Sequence, residues 1–262
     1  MILRRITEHV KAQNWFAVGI DFTIVVAGVF IGIQVANWNG AQADKRLGRA
    51  YAERLAASLE ADLQSRQGLA AYYAAVLDSV ERTNALLADP ASDPQALVVN
   101  ACRASEVNFT PQSRAAWDEI VSSGDTGLLP RAAIDSGIAD YFAGDSVRLS
   151  YDVDIASAYR RRVRTIIPLE LQKALRAGCS DIRDEAQVIV GFMPDCALNV
   201  APELIEATAA ALRADPLVAA ELRYQYSDVF SAHANIDGDV VVLTRALDAL
   251  RGASSLPAEA GS

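Results

Sequence analysis

The apolar positions of this chain fall into a few long runs. Between residues 16 and 36 almost every side chain is apolar, close to the ~20 residues that cross a hydrocarbon core as a helix. Trp15 and Trp38 flank that run, and tryptophan is favoured at membrane–water boundaries. The next run, 41–87, has Leu47, Tyr51, Leu55, Leu59, Leu69, Tyr73, Val76, Val80 and Leu87 recurring at helical spacing, which predicts one long helix. No proline interrupts it before Asp89-Pro90; it would reach about 70 Å, with Gly40 as a joint to the apolar span. The clearest heptad alternation comes last, in Val218, Leu222, Tyr226, Val229, His233, Ile236, Val240, Leu243, Leu247 and Leu250. That is a bundle or coiled-coil seam, started by Asp215 as N-cap and Pro216 at the first helical position.

A third long helix is predicted over 135–167, stopped by Pro168. Its buried side would use Ile138, Phe142, Leu149, Val153, Ala156, Val163 and Ile167. Shorter helices are expected at 94–104, 112–123, 169–177 and 202–214, with Gly124 and Gly178 as stops. Only 187–192 reads as a strand, and one strand makes no sheet. The fold class is therefore all-α: an N-terminal transmembrane helix followed by an elongated antiparallel helical bundle. The segments are an amphipathic stretch at 1–14, the span at 15–38, the bundle at 41–251 and a disordered tail at 252–262. In the first stretch Ile2, Leu3, Ile6 and Val10 oppose Arg4, Arg5 and Lys11, the pattern of a helix lying in a membrane interface.

Small and polar residues share one stripe of the span. Gly28 and Gly32 form a G-x-x-x-G pair, which lets two helices approach closely in lipid, and Asp21 lies on the same stripe. A carboxylate inside a span by default suggests function, but Asp21 is only six residues from Trp15 and fits the near interface, within reach of basic side chains of a neighbouring copy. The partners this implies are the lipid bilayer and a second copy of the chain or another membrane protein.

Composition supports helix: 52% of the 262 residues are hydrophobic, yet only 7% are aromatic, and abundant alanine and leucine favour helix over sheet. The net charge is −9, and beyond residue 38 the chain carries 21 basic against 31 acidic side chains. Nucleic acid is bound through clustered Lys and Arg, so that class of partner is excluded. Three cysteines occur, Cys102, Cys179 and Cys196. The last two bracket a segment containing Ser180, Asp181, Gly191, Pro194 and Asp195. A disulfide closing such a loop would contribute about 3 kcal/mol and persist only in an oxidising compartment; the alternative is two independent buried thiols. Arg4, Arg5 and Lys11 before the span balance Lys45, Arg46 and Arg49 after it, so the positive-inside rule does not orient it. The cysteines favour an anchor with its N-terminus in and its C-terminal part outside the cytosol. Cleavage after Ala41-Gln42-Ala43, a signal-peptidase pattern, would also export the remainder.

The run from Glu8 to Asn39, and especially Val26 to Asn39 with Gln34, Trp38 and Asn39 closing it, resembles the opening of an uncharacterised family of bacterial single-span membrane proteins. In that family an acid, more usually glutamate, stands near the position of Asp21, and a Gly-rich apolar run ends in Gln-x-x-x-Trp-Asn. The stretch Trp117 to Gly124 is similar to a central motif of some members. Together the two cover less than a fifth of the chain. The resemblance implies placement in a bacterial inner membrane with a periplasmic C-terminal domain, and it implies no activity.

Chemistry-bearing constellations are few. The histidines are His9 and His233, and His233 occupies a seam position, where a core or register role is expected. No nucleophile elbow, zinc-protease or phosphate-loop motif occurs, and no cofactor or metal site is expected. Asp237-Gly238-Asp239 lacks the rest of a calcium loop and reads as a solvated helix face. Trp117, Asp118 and Glu119 are the candidate ligand or partner surface; the alternative packs Trp117, Ile120 and Val121 inward with the acids at a helix start. Arg160, Arg161, Arg162 and Arg164 form the basic cluster, read as a solvated face that complements a helix C-terminus, or else as a lipid-phosphate contact. The function expected is a membrane-anchored interaction or scaffold protein. The alternative is a ligand-sensing ectodomain that signals through a separate membrane partner, and an enzyme is a distant third.

Overall fold

The first helix runs through the whole apolar span and far beyond it. In this computed structural model, which describes residues 15–254, α1 is Trp15–Ala88. The 1–14 stretch, the chain beyond Ser254 and the Asp21 side chain lie outside the described residues. The amphipathic segment, most of the expected tail and the carboxylate of the span stripe therefore do too. Among the described residues 79% are helical and 3% are strand, so the class is all-α. Gly40, the expected joint, lies inside α1.

The chain divides into two compact units, Met1–Ala50 and Tyr51–Ser262. In the first, apolar side chains are exposed among the described residues: Phe22 is 69% exposed, Val29 59% and Val35 52%. This is the one helix among the described residues long and apolar enough to cross a membrane, and none of its apolar window is buried. A Cβ built on Gly28 or Gly32 would have open space around it.

The second unit begins with the 51–88 part of α1. After it come α2 Pro94–Arg103, α3 Ala115–Ser123, a 3-10 turn at Asp125–Leu128, α4 Arg131–Ala133, a π turn at Ile134–Ile138 and α5 Ala139–Ala143. They are followed by α6 Ser146–Ile155, α7 Ala158–Ile166, α8 Leu169–Gly178, strands β1 Asp181–Arg183 and β2 Ile189–Phe192, α9 Pro202–Ala214 and α10 Pro216–Ser254. Helix α10 runs antiparallel to α1. Leu55 and Leu59 of α1 share a core cluster with Leu243, Leu247 and Leu250, and Val80 shares another with Val218 and Leu222. A middle cluster joins Tyr73 and Val76 to Val229 and Ile236.

Local signals explain most boundaries. Asp93 caps α2, accepting from the Gln95 and Ala96 N–H groups at 3.3 and 2.9 Å with Pro94 at N1. Gly124 ends α3 in the left-handed region, φ 79°. The long helix expected over 135–167 is instead broken twice. Gly144 is extended and Asp145 caps a new start by accepting from Arg148 N–H at 2.9 Å; Ser157 does the same for Arg160 N–H at 3.0 Å. Each break re-phases the buried face. Leu149, Val153 and Ala156, expected inside, are exposed, and Val147 and Asp154 are buried in their place. Val121 is likewise 48% exposed rather than packed.

The heptad seam of α10 also shifts. The buried positions are Val218, Leu222, Gln225, Val229, Ala232, Ile236, Leu243, Ala246, Leu247 and Leu250: Leu222, Val229, Ile236, Leu243 and Leu250 keep the expected seven-residue spacing, and Val218, Gln225, Ala232 and Ala246 form the second column. Tyr226 and His233 leave the seam for its flank. His233 sits 3.3 Å from Asp237 on its own helix.

The expected strand finds a partner. β1 pairs antiparallel with β2, Asp181 opposite Phe192 and Ile182 opposite Gly191, with a bulge after Ile182. Asp184 holds the turn by accepting from Val188 N–H at 2.8 Å. This hairpin sits against α1 at Gly68, where an added Cβ would overlap the Val188 side chain, and the Phe192 ring lies 5.1 Å from that of Tyr72.

Candidate functional site

Two polar centres are built into the second unit. The first is structural. Arg66 on α1 is 1% exposed; it donates to Asp239 Oδ2 at 3.2 Å and to the Thr110 carbonyl at 2.8 Å. One helical turn earlier, Asp62 accepts from Ser113 N–H at 2.9 Å and from the Tyr141 hydroxyl at 2.8 Å. These contacts fix the loop before α3 and the register of α10 against α1. Asp239, expected on a solvated face, is thus an inward partner whose carboxyl is pushed up by burial and held back by Arg66.

The second centre surrounds a cavity of about 170 Å³. Helix α2 supplies Val99, Cys102 and Arg103, and the turn after it supplies Glu106. Helix α8 supplies Leu175 and Arg176, and the hairpin supplies Asp181 and Phe192. The turn is local chemistry: Ser105 donates its hydroxyl to the Cys102 carbonyl at 2.6 Å, and Glu106 N–H donates to the Arg103 carbonyl at 3.0 Å. Glu106 is thereby aimed at α7 and α8. Its carboxylate meets Arg164 at 2.8 Å, Arg176 at 3.1 Å and Arg160 at 3.9 Å.

Four of these groups, Arg103, Arg160, Arg164 and Arg176, are guanidinium ions, and two, Glu106 and Asp181, are acids. Only Arg103, Arg176, Glu106 and Asp181 line the cavity itself, so its wall carries two charges of each sign. Arg103 donates to the Met193 carbonyl at 2.6 Å and stands 5.2 Å over the Phe192 ring, yet its Nε is buried without a partner. Burial pushes the Asp181 carboxyl up, with Glu106 adding and Arg176 opposing. The Cys102 thiol is pushed up by burial first and the Glu106 charge second.

Cys179 borders the same cavity. It stands at disulfide distance from Cys196, with Cα atoms 4.7 Å apart, and Cys102 is the remaining, buried thiol. The chain is drawn tight there: a Cβ on Gly178 would overlap the Ala197 carbonyl oxygen. The basic cluster of α7 is not a solvated face. Arg160 donates to the Ser105 carbonyl, Arg164 reaches Glu106, and Arg162 clasps Glu221 at 2.6 Å and Asp215 at 3.1 Å, pinning α7 to the start of α10. Arg161 is exposed.

The structure does not gather Trp117, Asp118 and Glu119 around a cavity. Trp117 is buried, its ring stacked 5.3 Å from Phe142. Asp118 pairs with Arg114 at 3.1 Å. Glu119 pairs with Arg54, which draws its carboxyl below the usual range. The exposed aromatic surface lies elsewhere, on α10: Tyr224, Tyr226 and Phe230 are exposed, the last two stacked at 6.1 Å. Beside them is a groove of about 380 Å³ lined by Val80, Glu81, Asn84, Leu222, Arg223 and Tyr226. Among the described residues no group of three His, Cys, Asp or Glu side chains is placed to hold a metal ion.

Sequence reasoning missed Glu106, Arg103 and Arg176 because they come from separate elements. The leftover Cys102, one residue before Arg103, was the nearest available signal. No family model matches this chain, and neither a curated protein nor a solved structure is similar to it.

Proposed function

We propose that this chain is a membrane-anchored interaction protein, held by residues 15–38 in a bacterial inner membrane, with its helical unit in the periplasm. The observation that carries this reading is the exposed apolar window of the first unit, none of which is buried among the described residues. Burying such a surface is worth roughly 25 cal/mol per Å², so it demands lipid or another protein. Cys179 and Cys196 at disulfide distance support an oxidising compartment. Gly28 and Gly32, open on every side, support self-association through the span.

The test is chemical crosslinking of the full chain in mild detergent. The wild type should give dimers or larger species. Gly28→Ile with Gly32→Ile should reduce them roughly fivefold, the effect of about 1 kcal/mol of lost helix packing. A wild-type chain that stays monomeric would overturn self-association. A second reading, a ligand-sensing domain that signals through a membrane partner, is favoured by one specific observation: the charged cavity beside Cys102 and Cys179.

A further inference from the structure

The cavity between α2, α8 and the hairpin has three kinds of wall. One is cationic: Arg176, 60% exposed at its side chain, meets Glu106 at 3.1 Å, and Arg103 stands 5.2 Å over the Phe192 ring. One is anionic: the Asp181 carboxylate accepts no hydrogen bond from a side chain or backbone group among the described residues, although it stands in a wall where burial disfavours its charge. One is apolar: Val99, Leu175 and Phe192. Bare ions of both signs in one small cavity are expensive unless something compensates them.

The volume limits the guest. Drug-sized ligands occupy about 300–1,000 Å³, whereas a cavity of about 150 Å³ takes a guest the size of benzene. At about 170 Å³, partly open to solvent, this cavity suits a molecule of a few carbons. A guest that uses the whole lining carries a negative group for the arginines and a positive group for Asp181; a simple anion would meet the like charges of Asp181 and Glu106. A simple cation would meet the like charges of Arg103 and Arg176.

We infer that this cavity binds a free α-amino acid with an aliphatic side chain: its carboxylate on Arg103 and Arg176, its ammonium on Asp181, its side chain against Val99, Leu175 and Phe192. This ligand class deepens the sensing reading and rests on it, and it is independent of whether the span self-associates. Arg–carboxylate contacts are the stronger, charge-assisted kind, so the arginines set affinity and Asp181 sets selectivity for a zwitterion over a plain acid.

Isothermal titration of the full chain in detergent, against protein-free micelle blanks, tests this with three probes: L-leucine, 4-methylpentanoate and 3-methylbutylamine. Leucine should bind at least roughly tenfold more tightly than either half-ligand. Asp181→Asn should weaken leucine by about that factor while leaving 4-methylpentanoate unchanged; Arg176→Gln should weaken both. Unaltered thermal unfolding of Asp181→Asn, whose site is at the cavity wall rather than in the apolar core, would show that the loss is not misfolding. Equal binding of leucine and 4-methylpentanoate overturns the zwitterion assignment, as does the absence of saturable heat up to millimolar leucine. Neither result touches the crosslinking outcome, so failure here and failure of the anchor-mediated interaction remain distinguishable.

Discussion

Among single residues Asp154 carries the most consequence for stability. It is 1% exposed on α6, neither carboxylate oxygen has a hydrogen-bond partner, and burial first and the Asp228 charge second push its carboxyl up to about 7. The nearby Tyr73 hydroxyl opposes that shift, while its own hydrogen bond goes to the Asn108 carbonyl at 3.2 Å. In the unfolded chain an aspartate titrates near 3.9. Between about 4 and 7 the folded state therefore holds a proton that the unfolded state has lost, and stability falls as pH rises through that window. At about 1.4 kcal/mol per unit, the loss is on the order of 4 kcal/mol. Asp154→Asn keeps the shape and removes the titration. Its melting temperature should exceed the wild type's at pH 8 and match it near pH 4; parallel pH profiles for the two proteins would dismiss the assignment.

At the scale of elements, the hairpin inside the Cys179–Cys196 loop is tied at three points: the cysteine pair, the close approach of Val188 to Gly68, and Phe192 against Tyr72. With a sequence separation of 17, the closed loop contributes about 3 kcal/mol in the chain-entropy model. Reduction, or Cys196→Ser, should lower the melting temperature by several degrees and expose the β1–β2 amides to hydrogen exchange, leaving those of α10 protected. Unchanged exchange in β1 and β2 would mean the packing on α1 alone holds the hairpin. This element also shows how far periodicity carries. The Asp215 start and the Gly124 stop were legible because they are local chemistry. The strand partner was not, since Asp181–Arg183 carries an acid, an isoleucine and an arginine and has no alternation to read. Nor were the breaks at Gly144 and Ser157, where short polar side chains compete with a helix that apolar spacing alone would continue. In α10 the column Leu222, Val229, Ile236, Leu243 and Leu250 was legible. The second column is Gln225 and Ala232, three residues on, rather than Tyr226 and His233, four residues on, because both spacings lie beside the same face of a helix. The cavity charges were illegible on any periodicity, because Arg103, Glu106, Arg176 and Asp181 meet only after four elements have folded.

For the whole molecule, the decisive quantity is the apolar surface of the first unit. Phe22, Ile24, Val25, Val29, Phe30, Ile31 and Ile33 are all more than half exposed. Single exposed hydrophobes are ordinary on soluble proteins, but a contiguous belt around a helix marks a surface meant for another phase or another chain. The two explanations separate by what a charge does. In lipid, an arginine at the centre of a span costs about 2.5–3.5 kcal/mol on insertion scales, and two near the midpoint would approach the driving force for insertion itself. Against a protein partner in water, the same long side chains can extend to solvent at the rim of the interface and cost far less. Val29→Arg with Ile33→Arg should therefore release the full chain from membranes into the alkaline-carbonate supernatant, where the wild type should stay in the pellet. The double variant must keep the wild-type melting behaviour of the unit beginning at Tyr51, since that unit draws its core clusters from residues 51 onward. Should the wild type itself appear in the supernatant without detergent, the belt belongs to a protein interface, and the anchor reading falls together with the periplasmic placement built on it.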